Sequence, residues 1–214
     1  MAIITISRQF ASEGDAIARS LAKKLKYPLI DKEALEKIFQ KLGYADFSDV
    51  YDQNNIWSRF DSHHSDMVRM LQRIYDGVCH LNHAILLGRG GYAAIKPPTN
   101  YLNIKIQAPF EKRVERTMRM EGIRNLEIAQ KIVEEEDQRR REFIEALSEG
   151  NWDDAGCFDL VIDSSKIPPE MAVEWIEQAA SWLDRSTRKP PPTAPAKHTN
   201  DAIDTAIADV LARR

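Results

Sequence analysis

The sequence predicts a three-layer α/β fold built on a five-stranded parallel sheet. Short β-branched and apolar runs alternate along the 214 residues with stretches of helical periodicity, the pattern of strands joined by crossover helices. The strand runs are apolar throughout instead of alternating, as strands covered on both faces are. The first of them leads through a polar turn straight into an amphipathic helix, the order found at phosphate-binding loops.

The elements follow in turn. Ile3 to Ile6 is the first strand, and Ala16-Ile17, Leu21-Ala22 and Leu25 mark one face of the helix after it. Pro28 to Asp31 is a short second strand. Met67, Met70-Leu71, Ile74 and Val78 give a longer helix before a third strand at Ala84 to Gly88. Tyr101 to Gln107 is the fourth strand, and Pro109 opens a helix carrying Val114 and Met118. Asp159 to Asp163 is the fifth, followed by a helix whose stripe is Ala172, Trp175-Ile176, Ala179 and Trp182-Leu183.

Composition then changes. Pro190-Pro191-Pro192, Thr193 and Pro195 cannot build a core, so a body over residues 1–185 is expected to give way to a Pro-rich linker over 186–200. Beyond it, Ile203, Ile207, Val210 and Leu211 sit at helical spacing within 201–214. So short a helix is marginal alone and must dock on its own body, dock on a second copy as a homodimer contact, or fray.

A net charge of −3 gives no global pull toward nucleic acid or an anionic membrane. Cys79 and Cys157 cannot form a disulfide framework, and no apolar run approaches the roughly 20 residues of a spanning helix. A cytoplasmic protein without nucleic-acid or membrane partners is the expectation. Cys79 and His83 would share a helix face, but two soft ligands without a second pair make a structural role the better reading.

The chemistry concentrates at predicted strand ends. Ser7-Arg8-Gln9-Phe10-Ala11-Ser12-Glu13-Gly14-Asp15 has the layout of a phosphate cradle, in which amides and a helix N-terminus hold the phosphates. It departs from G-x-x-x-x-G-K-[ST] in keeping one glycine and in placing Asp15 where a cation belongs. Arg8 is a substitute cation. The other reading is a plain strand-to-helix turn with Asp15 as a dipole partner. Gly88-Arg89-Gly90-Gly91 puts Arg89 at the carboxyl edge of the sheet, where open α/β folds bind ligands, or simply makes a turn. Asp31 ends the second strand and either contacts an acceptor or caps the next helix. Arg139-Arg140-Arg141 are spaced to pair with Glu135, Glu136 and Asp137 four residues earlier on an exposed helix, and equally to reach phosphate. The stretch from Glu149 to Gly156 looks loose enough to let that helix move.

In order and spacing, four segments make the chain resemble the cytidylate kinase-like family over roughly residues 1–184: Ile4 to Ala18 with Leu21 to Leu25 and Tyr27 to Glu33, Ile85 to Gly91 with Ala108 to Val114 and Arg116, Glu135 to Phe143, and Phe158 to Lys166. The resemblance implies a P-loop NTPase fold with a helical lid and an acceptor-binding helical insert. It implies ATP as co-substrate with Mg2+, and phosphoryl transfer to a small acceptor such as CMP or dCMP. Carried onto this chain, Arg8, Ala11, Ser12, Glu13 and Gly14 hold the nucleotide phosphates, with Ser12 the hydroxyl for magnesium. Asp31 and Arg89 meet the acceptor, and Arg140 and Arg141 close from the lid as catalytic arginines. Where the family has an aspartate after its Gly-Arg step, this chain has Gly90. A decayed nucleotide-binding sensor, or an interaction module working through the C-terminal helix, is the alternative. A third is a kinase for an unusual acceptor in which Arg8 or Arg19 compensates Asp15.

Overall fold

The computed structural model describes residues 2–44, 62–81, 83–88, 90–95, 100–147, 152–186 and 201–212. Five strands, β1 (Ile3–Arg8), β2 (Leu29–Ile30), β3 (Ala84–Leu87), β4 (Tyr101–Gln107) and β5 (Leu160–Asp163), form one parallel sheet in the order β2-β3-β1-β4-β5. The central strand β1 sets Ile3 to Ile6 against Ala84 to Leu87 on one side and Ile3 to Arg8 against Tyr101 to Ile106 on the other. Its carboxyl end is therefore flanked by both neighbours.

Side chains alternate across the sheet into two cores. Ile3, Ala84 and Leu86 face α2 (Lys32–Lys41), α3 (Ser62–His80) and the short α4 (Gly91–Ala94). Ile4, Ile6, Ile85, Leu87, Ile104 and Ile106 face α1 (Gly14–Leu25) and α7 (Pro169–Ser186). Burial on both faces is why these strands read as unbroken apolar runs. A smaller cluster joins α5 (Phe110–Glu121) and α6 (Leu126–Leu147) through Val114, Ala129 and Val133, with Phe10 of the β1–α1 loop packed against it. Pro109 stands at the N-cap of α5, as its fixed φ suits.

The C-terminal helix α8 (Asp201–Leu211) packs on α2 and α3 of its own chain. Ile203, Ile207 and Val210 are buried there, Gly77 gives the close approach to Ile207, and Lys41 pairs with Asp209 at 2.7 Å. Of the three outcomes open to this helix, docking on its own body is the one the structure shows. The expected looseness of 149–156 is corrected over its described part. Trp152 is buried with its indole N–H donating to Ser7 Oγ at 2.8 Å, and Asp154 caps a 3-10 turn at Ala155–Cys157. Among the described residues no helix is long and apolar enough to cross a membrane.

Candidate functional site

Arg8 ends β1 and Gly14 opens α1, so residues 9–13 must reverse direction at the carboxyl edge of the sheet. The end of β4 stitches them down: Gln9 N–H donates to the Ile106 carbonyl and Ala108 N–H donates to Gln9 Oε1. Ala11 and Glu13 both take left-handed backbone, φ 55° and 64°, where glycine is the easy residue. Strain of this kind costs on the order of 1–3 kcal/mol per residue and is held in place by the surroundings.

Two carboxylates and two arginines flank this turn. Arg8 donates to both oxygens of Asp15, Nε at 3.1 Å and Nη2 at 2.9 Å. Burial pushes the Asp15 carboxyl up, but Arg8 beside it outweighs that and holds it below the usual carboxylate range. Asp15 is thus paired with the very residue expected to replace the missing loop cation. Arg116 of α5 meets Glu13 at 2.9 Å and also donates to the Ser164 carbonyl, tying α5 to the loop after β5.

A third arginine comes from α6. Arg140 lies over the Phe10 ring, 5.3 Å from its centre, and donates to the Glu136 carbonyl and carboxylate. Its Nε is buried with no acceptor. Burial, then the nearness of Arg8, lowers its pKa. Arg8 and Arg140 together line a water-sized cavity of about 20 Å3 closed by Ser7, Gly88, Phe143 and Trp152. Two convergent guanidinium groups, one with an unmet donor, favour an anion between them.

What holds α6 over the loop is Asp137. Its carboxylate accepts from Phe10 N–H at 2.8 Å and from Arg113 Nη1 at 2.5 Å, and Arg113 donates on to the Ala108 and Phe10 carbonyls. The expected Asp137–Arg141 pair is therefore corrected, since Arg141 instead reaches Asp153 and lies over the Trp152 ring. Arg139 and Arg140 keep the predicted helical pairs with Glu135 and Glu136.

Lys105 and Trp152 were absent from the predicted site. Lys105, opposite Ser7 in the register of β4 with β1, is buried and donates to the Trp152 carbonyl at 2.8 Å. Burial lowers its pKa, with Asp153 opposing. The alternation Asn103, Lys105, Gln107 within an apolar strand was the available signal.

The remaining predicted residues divide. Ala11 lies in the loop, and Gly14, the first residue of α1, packs against the Arg8 side chain. Ser12 is buried, its hydroxyl donating to the Gln9 carbonyl at 2.8 Å with the Ile106 carbonyl at 3.2 Å. It faces the interior and does not fit a magnesium ion, which corrects that expectation. Asp31 caps α2, accepting from Ala34 N–H at 3.0 Å, beyond β3 from the loop. Arg89 lies outside the described residues.

A parallel sheet of this strand order, with its loop and arginines gathered at the carboxyl end of β1, defines a P-loop kinase-like architecture. The chain belongs to the cytidylate kinase-like family, whose family model matches residues 3–166. Over 83 residues it is 36% identical to the cytidylate kinase of Pyrococcus furiosus, covering 39% of this chain and 43% of that protein. Over 135 residues it is 28% identical to the uronate isomerase of Corynebacterium glutamicum, covering 63% of this chain and 25% of that protein. The chain thus spans less than half the length of each of these relatives. An uncharacterized protein from Eubacterium ventriosum, solved as a crystal structure, shares the fold at TM-score 0.62 and 20% identity, over 85% of this chain and 99% of that one.

Proposed function

We propose that this protein is a cytoplasmic phosphotransferase that moves the terminal phosphoryl group of a nucleoside triphosphate, ATP in the first instance, to a small acceptor such as CMP or dCMP. The observation that carries the reading is the convergence of Arg8 and Arg140 on one cavity at the carboxyl end of β1. Positioned cations and backbone amides supply most of what phosphoryl transfer requires, because the reaction spreads negative charge over oxygens already present. Amides of residues 11–14 would take the β-phosphate region and Arg140 the transferring group. Arg141 would join it on leaving Asp153, while Arg89 and Asp31 would meet the acceptor. Magnesium is the ion the family implies with ATP, and Ser12 is not placed to hold it.

A second reading, a nucleotide-binding module without turnover, is favoured by one observation: Arg8 is already paired with Asp15. Its interaction-module form would have to work through the exposed face of α8, since Ile203, Ile207 and Val210 are packed in cis.

The test is ADP formation by purified protein with MgATP and CMP, dCMP or other nucleoside monophosphates, in parallel with thermal shift. Acceptor-dependent turnover that falls at least about a hundredfold in Arg140→Ala supports transfer, the size seen when one transition-state donor is removed. A nucleotide-dependent shift without turnover supports the second reading. Neither signal refutes both.

A further inference from the structure

Arg8 does not extend into solvent at the end of β1. Its side chain is 11% exposed and folds along a path left open by two glycines. A Cβ on Gly14 would stand 2.5 Å from Arg8 Cβ, and a Cβ on Gly88 would collide with Arg8 Nη1. At the end of that path the guanidinium meets both oxygens of Asp15, in the first turn of α1. A planar fork donating to two oxygens at a helix N-terminus is the bonding pattern by which proteins hold a phosphoryl group. The second loop carboxylate, Glu13, meets Arg116 through a single contact at 2.9 Å.

We infer that Asp15 is a specificity-determining residue of the phosphate site: a tethered carboxylate that occupies Arg8 against single anions and gives it up only to a polyphosphate chain. The inference rests on the phosphoryl-transfer reading. A carboxylate fixed beside its arginine competes at the high effective concentration of an intramolecular partner. Orthophosphate offers one phosphoryl group to set against that competition. A triphosphate brings further groups that reach the start of α1 and Arg140, which lines the same cavity as Arg8 and has an unpartnered buried Nε. The chain would in this way reject abundant inorganic phosphate without a glycine-rich, lysine-bearing loop.

The experiment is calorimetric titration of the full-length protein with inorganic tripolyphosphate and, separately, orthophosphate. Wild type, Asp15→Asn and Asp15→Ser are compared, each checked for fold by circular dichroism. Asp15 is half exposed, so two uncharged replacements guard against an idiosyncratic loss of structure. The expected result is measurable tripolyphosphate binding by wild type. Orthophosphate affinity should rise at least about tenfold in both variants, as release of charge-assisted hydrogen bonds implies. The preference for tripolyphosphate should narrow, and the gain should vanish in Arg8→Met/Asp15→Asn. Tripolyphosphate binding by all three proteins with unchanged selectivity overturns the role of Asp15 and leaves the phosphate site standing. No tripolyphosphate binding by any of them removes the site and this inference together.

Discussion

Asp137 is the residue whose removal most sharply tests how the α6 helix is held over the β1–α1 loop. Asp137 and Arg113 are 9% and 5% exposed, and the carboxylate satisfies both a guanidinium and the Phe10 amide. Asp137→Ala leaves a buried guanidinium without its counter-charge and an amide without its acceptor. Breaking one side of a buried pair costs about 3–5 kcal/mol, and the Ala108 and Phe10 carbonyls that Arg113 retains should keep the loss within that range. Asp137→Asn keeps an oxygen for the Phe10 amide but sets an NH2 donor against the Arg113 guanidinium in place of the second oxygen, so it too should cost at least about 1–3 kcal/mol, the loss from leaving a buried donor unmet. Set against a typical total of about 5–15 kcal/mol, the first variant is severely weakened. In a protein of this size that loss corresponds to a fall in Tm of roughly 6–20 °C. Urea denaturation followed by tryptophan fluorescence measures both variants, and buried Trp152 lies close to the linkage. An Asp137→Ala loss below about 1 kcal/mol would refute the claim that this carboxylate holds the helix to the loop.

Gly14→Ala should force the root of Arg8 aside, costing about 1–3 kcal/mol as overpacking does and lowering triphosphate affinity; unchanged binding by titration would show that Arg8 can move without consequence. Ile207→Ala should cost about 2–5 kcal/mol in chemical denaturation, the usual loss for a buried isoleucine, whereas a helix that merely frays would lose almost nothing. Burial lowers the Lys105 pKa, so between its folded value and the ordinary 10.5 the unfolded chain binds more protons and stability rises with pH. The urea midpoint of wild type minus that of Lys105→Met should therefore climb toward alkaline pH. A flat difference would mean that the ammonium is not held at a cost.

The strands, the helix faces and the phosphate-loop layout were legible in the sequence because each is local. Period-two and period-3.6 patterns report which side of an element is buried, and runs such as Ile3–Ile6 and Ala84–Leu87 carry that signal without reference to anything distant. The capping role of Asp31 was open to the same reading, since the residue it caps lies three positions on. The i,i+4 pairs of Arg139 and Arg140 were legible for the same reason. Only the tertiary structure decided the rest. Asp137 could pair with Arg141 on its own helix or with Arg113, 24 residues back; packing of α6 on α5 selected the second. The Trp152–Ser7 bond spans 145 residues and depends on which loop the fold lays over β1. Ser12 turned inward because the ends of the loop and of β4 place two carbonyls beneath it. The same limit applied to α8, whose stripe announced a partner without naming it. Periodicity records that a face is buried, and the surface that buries it is set by the strand order and by the helices that order brings together.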